Sequence, residues 1–305
     1  MAQTERPILA LGLRVCAMAL IATMFMLIKV AGDRGIAGLE VIFWRQALSL
    51  PIIVTWLWAR GGLSILRTRR MASHAQRAIF GMMALFCNVS AAMLLPLAEA
   101  TTFGFTAPLF AVLLTPLILK DRVGPWRWAA VLLGFAGVLI IANPGHEVVA
   151  PLGVAAGLGA GFLVAVVSFQ IRDLAQTEAT ITCVFWFAFF GAAMSAIVLP
   201  IYYTPHGAFD WALLVLIGIC GTFGQLLLTS ALRFGQVATV VVMDYTSLIW
   251  ATLYGWLIWD LLPGIATWLG APAIIAAGLI ITWREHRLAK AVAPVTSQGA
   301  SSGTA

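Results

Sequence analysis

Apolar residues in this chain neither alternate nor keep to a single helical stripe. They run together in long stretches separated by short polar breaks, at 8 to 30, 38 to 59, 77 to 97, 100 to 119, 126 to 143, 150 to 171, 180 to 202, 209 to 232, 237 to 259 and 264 to 283. A hydrocarbon core roughly 30 Å thick needs about 20 apolar residues per helical crossing, so each stretch predicts a transmembrane helix. A membrane β-barrel would show strands of about ten residues with alternating polarity. Segments 128 to 142 and 212 to 220 are instead apolar on every face. The expected fold is all-α and polytopic, with ten transmembrane helices. Ala17-Met18-Ala19 has the small-residue form of a signal-peptide cleavage site, but the apolar run continues well past it, so an uncleaved first crossing is expected.

Composition agrees with this picture. Of 305 residues, 62% are hydrophobic and 10% charged, with a mean hydropathy of +0.99, which leaves too little polar surface for a water-soluble globule. The basic residues then supply an orientation. With the N-terminus in the cytoplasm, Arg6, Arg14, Arg60, Arg67, Arg69, Arg70, Arg77, Lys120, Arg122, Arg127, Arg172, Arg233, Arg284, Arg287 and Lys290 fall on the inner side, and only Lys29 and Arg34 on the outer. Lys and Arg in short loops are retained on the cytoplasmic side. A bacterial-type inner (plasma) membrane location with both termini cytoplasmic, and an even number of crossings, follows as the expectation. The net charge of +6 is a signature of insertion into the lipid bilayer and calls for no nucleic-acid partner.

The chain also repeats itself. Ala100 to Pro108, Leu119-Lys120-Asp121 and 128 to 141 are echoed by Ala238 to Thr246, Trp259-Asp260 and 265 to 281. Each half thus ends in a helix, acid, helix arrangement. Five spans per half is an odd number, so the second half is expected upside down relative to the first: one five-helix repeat at 1 to 144, its inverted partner at 149 to 288, and a disordered cytoplasmic tail at 289 to 305. Inverted repeats are a building principle of secondary transporters, whose substrate sites lie near the bilayer midplane between the halves.

Between 8 and 283 the sequence resembles the drug/metabolite transporter superfamily in its ten-helix EamA-type form. The resemblance rests on Arg45 in span two, on Pro96 to Pro108, on Leu119-Lys120-Asp121-Arg122-Val123 with Trp126-Arg127-Trp128, on Gly134 to Val138, and on Gly255 to Asp260. Where that family usually carries Glu after spans four and nine, this chain has Asp121 and Asp260, which keeps a carboxylate at each position. The resemblance implies secondary transport of a small metabolite, often outward, through a cavity lined by both halves.

Candidate chemistry is sparse. No Gly-rich phosphate loop ending in Gly-Lys-Ser/Thr is present, so ATP hydrolysis is not expected. His74, His146, His206 and His286 fall in gaps or tails without metal-ligand spacing and read as solvated; Cys16, Cys87, Cys183 and Cys220 stand alone in spans, so no disulfide is predicted. No enzyme, cofactor or metal centre is expected, and a monomer and a homodimer are equally compatible with the sequence.

The sharper signal comes from ionisable groups at membrane depth, where insertion scales charge roughly 2.5–3.5 kcal/mol for Arg or Asp. Arg45 lies about seven residues into span two, roughly 10 Å below its outer end. Its fork of donors suits a carboxylate, and the alternative is an ion pair or carbonyl clamp that only fixes packing. Asp244, at similar depth from the inner side, is the candidate to couple transport to protons by switching its charge; the alternative is a pair with a basic residue at the inner span ends. Thr102 and Thr106 share a helix face beside the kink expected at Pro108. Together with Phe105, Gln225, Tyr245 and Trp250 they complete the expected substrate-binding or gating set, while Asn88, Ser90, Ser168, Gln170 and Trp186 are further candidates. Glu99 reads as solvated, and Lys29 and Glu40 as interfacial residues or an outer gate pair. Gly153, Gly157 and Gly161, and likewise Gly218, Gly221 and Gly224, mark surfaces for close helix packing.

The pattern supports a secondary active transporter working by alternating access, exporting an amino-acid-like or related small polar metabolite with proton coupling or exchange. Uptake of a vitamin-like nutrient and a non-transporting sensory or assembly subunit are the two alternatives.

Overall fold

The computed structural model describes residues 7–59, 62–118, 124–142, 150–174, 176–234 and 242–292. Among the described residues eleven α-helices follow one another: α1 (Pro7–Asp33), α2 (Gly38–Ala59), α3 (Met71–Leu94), α4 (Leu97–Gly104), α5 (Ala107–Ile118), α6 (Pro125–Ala142), α7 (Pro151–Leu174), α8 (Thr180–Tyr202), α9 (Ala208–Phe234), α10 (Thr246–Trp259) and α11 (Ile265–Val292). Short 3-10 turns at Leu63–Leu66 and Val242–Tyr245 precede α3 and α10. Among the described residues there is no strand, and nine segments are long and apolar enough to cross a membrane, with α4 and α5 counted as one crossing, Leu97–Ile118. Span nine is represented by Val242–Tyr245 and α10; its expected beginning at 237, like Asp121, Lys120, Arg122 and His146, lies outside the described residues. The protein is a polytopic all-α membrane protein.

Where helices start and stop differs from the hydropathy pattern in instructive ways. Helix α3 begins at Met71, six residues before the apolar stretch at 77, because Ala72, Ala75 and Gln76 propagate a helix without being apolar enough to mark a span. Arg77 therefore sits inside a buried helix rather than in a cytoplasmic loop. Span four breaks where Pro108 predicted a kink: proline has no N–H to return to Gly104, so α4 ends there, Thr106 Oγ1 donates to the Phe103 carbonyl at 2.6 Å, and α5 restarts at Ala107. Helix α11 runs past its apolar part, which ends at Trp283, to Val292. The tail expected to be disordered from 289 is thus helical at 289–292, as its Ala and Lys content permits; 293–305 lie outside the described residues.

Packing follows the small residues. The main helix pairs are α1 with α9, α3 with α7, α6 with α11, α2 with α8, α2 with α9, α3 with α8, α1 with α10, α7 with α4 and α5, and α4 with α10. Exchanging the two halves (α1 for α7, α2 for α8, α3 for α9, α4 and α5 for the span of α10, α6 for α11) leaves this set of pairs unchanged. Both predicted glycine stripes lie at such interfaces: Gly157 of α7 against Phe103, and Gly218 and Gly221 of α9 against Leu48 and Arg45 of α2. The closest backbone approach was not foreseen. A methyl group on Gly137 of α6 would stand 2.6 Å from the Gly270 carbonyl of α11, so these helices cross where neither tolerates a side chain.

Apolar cores fill the remaining space, one around Ile28, Ile42, Leu214 and Ile217, another around Leu95, Phe103, Ile141 and Ile274. The outer surface is apolar too, with Leu132, Ile197 and Leu269 exposed as lipid-facing side chains, and Trp58, Trp126 and Trp268 exposed near helix ends as in an interfacial belt.

Candidate functional site

Among the described residues four Lys and Arg side chains are buried within the helices, and the structure treats them in two ways. Arg14 of α1 is neutralised. Its Nε and Nη2 reach both carboxylate oxygens of Asp244 at 2.5 and 2.6 Å, and its Nη1 donates to the Leu228 carbonyl of α9 at 2.9 Å. The Arg14 side chain is 6% exposed and that of Asp244 28%. The 3-10 turn Val242–Tyr245 presents Asp244 to α1, and Ser247 Oγ closes the turn on the Asp244 carbonyl at 2.6 Å. This is the pairing with a basic residue that the sequence offered as the alternative for Asp244.

Arg45 is treated oppositely. It is 8% exposed, and no carboxylate among the described residues comes within ion-pair distance. Nη1 donates to Gln46 Oε1 at 2.7 Å, and Nε lies 3.3 Å from the Met24 sulfur. Directly beneath, Ser49 Oγ donates to the Arg45 carbonyl at 2.9 Å and meets Thr222 Oγ1 of α9 at 2.7 Å. Gly221 lets α9 approach this guanidinium closely, and Gln225, one turn further along α9, is half-buried on the same face. An unpaired buried charge costs several kcal/mol of desolvation after relaxation, and a neutral amide with a thioether offsets little of it. The arrangement is suited to receive an anion.

Arg77, buried at 4% exposure, is the second unneutralised arginine, with its guanidinium 4.3 Å from the Phe187 ring centroid. Lys29, at 9% exposure, does not snorkel to the interface as expected. Its Nζ donates to the Leu95 carbonyl at 2.7 Å and the Ala92 carbonyl at 3.3 Å, at the negative end of α3, with Trp259 beside it. Glu99 is likewise buried rather than solvated; one oxygen accepts from Thr267 at 2.8 Å. Glu40 does not pair with Lys29. It is fully buried and bonds His206 at 2.6 Å, so His206 is no loop histidine in water, and neither is His74, which is 1% exposed within α3. In sequence these residues stand in or beside polar breaks, at or just beyond the ends of the apolar stretches, where hydropathy does not tell an interfacial position from an enclosed one.

The other expected site residues divide. Phe105 and Tyr245 stack edge to face with ring centroids 4.9 Å apart, joining the α4–α5 break to the start of α10 and placing Asp244 beside it. Trp250 packs on Tyr254, whose hydroxyl meets Thr23 of α1 at 2.8 Å. Thr102 and Thr106 are fully buried and bond their own helix, at the Ala98 and Phe103 carbonyls. Asn88 and Ser168 also return to their own helices, and Trp186 donates to the Leu66 carbonyl at 3.0 Å. Asp260 takes a left-handed conformation (φ 53°), one that Asp enters more readily than most residues, and ends α10, the Leu261 N–H returning to the Gly255 carbonyl at 3.1 Å.

Across the faces, further ion pairs join helix ends: Arg34 to Asp210 at 2.5 Å on one side, Arg70 to Asp173 on the other. Asp210 raises the affinity of the exposed Arg34 for its proton above the ordinary arginine range.

The model of the EamA-like transporter family matches residues 8–143 and again 151–283. The chain belongs to the EamA-like transporter family. This membership makes it a multi-pass membrane transporter for a small molecule. Among the relatives of this EamA-like chain, an uncharacterized transporter from Helicobacter pylori (strain ATCC 700392 / 26695) is 27% identical, covering 83% of this chain and 88% of its own. A riboflavin transporter from Vibrio cholerae is 27% identical over 83% of this chain and 85% of its own. A pseudopaline exporter from Pseudomonas aeruginosa is 26% identical over 80% of this chain and 85% of its own. A solved crystal structure with 24% identity matches 92% of this chain and 98% of that one at a TM-score of 0.64, which extends the likeness to the fold.

Proposed function

We propose that this EamA-like protein is a secondary active transporter that exports a small, amino-acid-like metabolite with an anionic group across the inner membrane. Two inverted five-helix repeats, 1–144 and 149–288, would alternate access around a central site with both termini cytoplasmic. The observation that carries the anionic substrate is Arg45, buried between α1, α2 and α9 with no carboxylate among the described residues to neutralise it. Support for the repeats comes from the unchanged set of helix pairs when the halves are exchanged.

Asp244 serves as the coupling group in this reading. Its carboxylate can take up a proton only by releasing at least part of its two-bond grip on Arg14, so proton uptake loosens α1 from the start of α10. Phe105, Tyr245 and Gln225 border the same region and contribute contacts, and Thr102 and Thr106 act by shaping the α4–α5 break.

The test compares metabolites inside cells and in the medium for cells carrying no protein, the intact protein or Arg45→Ala. Export predicts a compound depleted inside and enriched outside only with the intact protein. Vesicles reconstituted with Asp244→Asn then report whether transport keeps its pH dependence; retention of both rate and pH profile removes Asp244 from coupling.

One observation favours a second reading, uptake of a vitamin-like nutrient: riboflavin transporters recur among the relatives, and a Rickettsia bellii relative is an S-adenosylmethionine uptake transporter. Inward movement in the same experiment would select it. No Arg45-dependent difference, with a purified protein that responds to none of the candidate compounds, would favour a non-transporting subunit.

A further inference from the structure

We propose that Arg77 is a second anion-binding group and that the transported molecule carries two acidic groups, one for each buried arginine. The inference rests on the reading of Arg45 as an anion-binding residue and adds a requirement to it.

Arg77 enters the membrane on α3, six residues after that helix begins at Met71, and faces α8. A guanidinium offers five donors. Here Nη1 reaches the Cys183 carbonyl at 3.4 Å, a long contact, and the buried Nε has no hydrogen-bond partner. The Phe187 ring supplies a weak, neutral contact to one face. A clamp whose purpose was to join α3 to α8 would be expected to satisfy its donors, as Arg14 does with Asp244 and Leu228.

The two arginines are connected. Gln46 accepts from Arg45 through Oε1 and donates through Nε2 to the Phe187 carbonyl at 3.3 Å, while the ring of the same Phe187 lies under Arg77. The positive charge of Arg77 disfavours the charge on Arg45, beyond the cost of burying Arg45 itself. The carboxylate nearest along the chain to α8, Glu178, is engaged with Thr68 at 2.6 Å and lies 4.0 Å from His74; neither arginine has it as an ion-pair partner. Two like charges, linked through one amide and one aromatic residue and without a resident counter-charge among the described residues, form a receptor for a dianion. A single carboxylate would neutralise one and leave the other.

The test uses the full-length protein in lipid nanodiscs and follows its thermal midpoint against succinate, its monoamide succinamate, and chloride, at matched ionic strength. Bound ligand stabilises by mass action. A second charge-assisted contact is worth at least about tenfold in affinity, so succinate should act at a concentration at least about tenfold below succinamate, and chloride should have no comparable effect. In Arg77→Gln this preference should shrink below about twofold while succinamate keeps its effect; in Arg77→Lys, which keeps the charge, most of the preference should remain. Arg77→Leu, which leaves no buried polar group and keeps a good helix former, replaces the Gln variant if that one fails to fold. Equal action of succinate and succinamate on the wild type, or a full preference in Arg77→Gln and Arg77→Leu, overturns the dianion proposal and leaves Arg45 as a binder of a single anionic group. Loss of neither probe in Arg45→Gln overturns the anion-binding reading of Arg45, and the dianion proposal with it.

Discussion

Arg14 and Arg45 are both arginines, both nearly inaccessible, and both held against α9, yet they are solved differently. Arg14 meets a carboxylate with two parallel bonds and gives a third donor to a carbonyl. Arg45 meets an amide and a sulfur, and the charge of Arg77 nearby adds to the burden rather than relieving it. A resident ion pair holds two helices together in the absence of ligand. A buried charge left without a counter-charge among the described residues costs stability, and in the proposed function an arriving anion would offset that cost at Arg45. The difference teaches that burial alone does not single out a candidate binding residue; the state of its counter-charge does.

The largest effect should come from breaking the neutralised pair. Asp244→Ala leaves Arg14 buried and alone, a situation that costs 3–5 kcal/mol for fully buried pairs. Because the Asp244 side chain is 28% exposed, about 2–3 kcal/mol is expected here. Thermal unfolding in detergent should show a marked drop, and the double variant Arg14→Leu with Asp244→Leu should recover most of it.

Arg45→Gln should behave in the opposite sense. It removes a charge without orphaning a carboxylate, so stability should stay within about 1 kcal/mol of wild type or rise. Affinity for the anionic substrate should fall by a factor of about 10 to 100, the loss of hydrogen bonds to a charged group worth about 1.5–3 kcal/mol. Equal destabilisation of Arg45→Gln and Asp244→Ala would erase the contrast between the two sites.

Gln46→Leu tests what positions Arg45. Removing the acceptor at 2.7 Å frees the guanidinium without changing its charge, so affinity should fall only about fivefold, near 1 kcal/mol, with the preference for anions intact in competition measurements.

The smallest effect belongs to Arg34→Gln. Its pair with Asp210 is neutralised like that of Arg14, but Arg34 is exposed at a helix end. Water and salt screen such a pair, so the thermal midpoint should be indistinguishable from wild type above physiological salt. A large drop would mean that this contact, rather than burial, sets the cost of losing a counter-charge.

Much of this was legible in the chain. Length and polarity of the stretches predict the helices because a bilayer demands that each crossing satisfy its own backbone. Pro108 predicts the break in span four for an equally local reason, the missing N–H. Arg45 and Asp244 stand out because charge within an apolar run is expensive wherever the helices go. The burial of Arg77, His74, Glu99 and Lys29 was not legible. Each lies next to a polar break, and hydropathy cannot distinguish a loop residue from the terminal turns of a helix enclosed by neighbours.

The sequence by itself determined the solvent, the class of fold and the charges that stand inside apolar runs, Arg45 and Asp244, since these depend on residues near one another along the chain. Only the tertiary structure decided which charges are cancelled. Asp244 and Arg14 are separated by 230 positions, and no local pattern couples them; their pairing follows from α1 packing against α9 and the start of α10. The same packing brings Met24, and no carboxylate among the described residues, to Arg45, whose amide partner Gln46 is its neighbour in the chain; a counter-charge is a property of a place in space and not of a position in sequence.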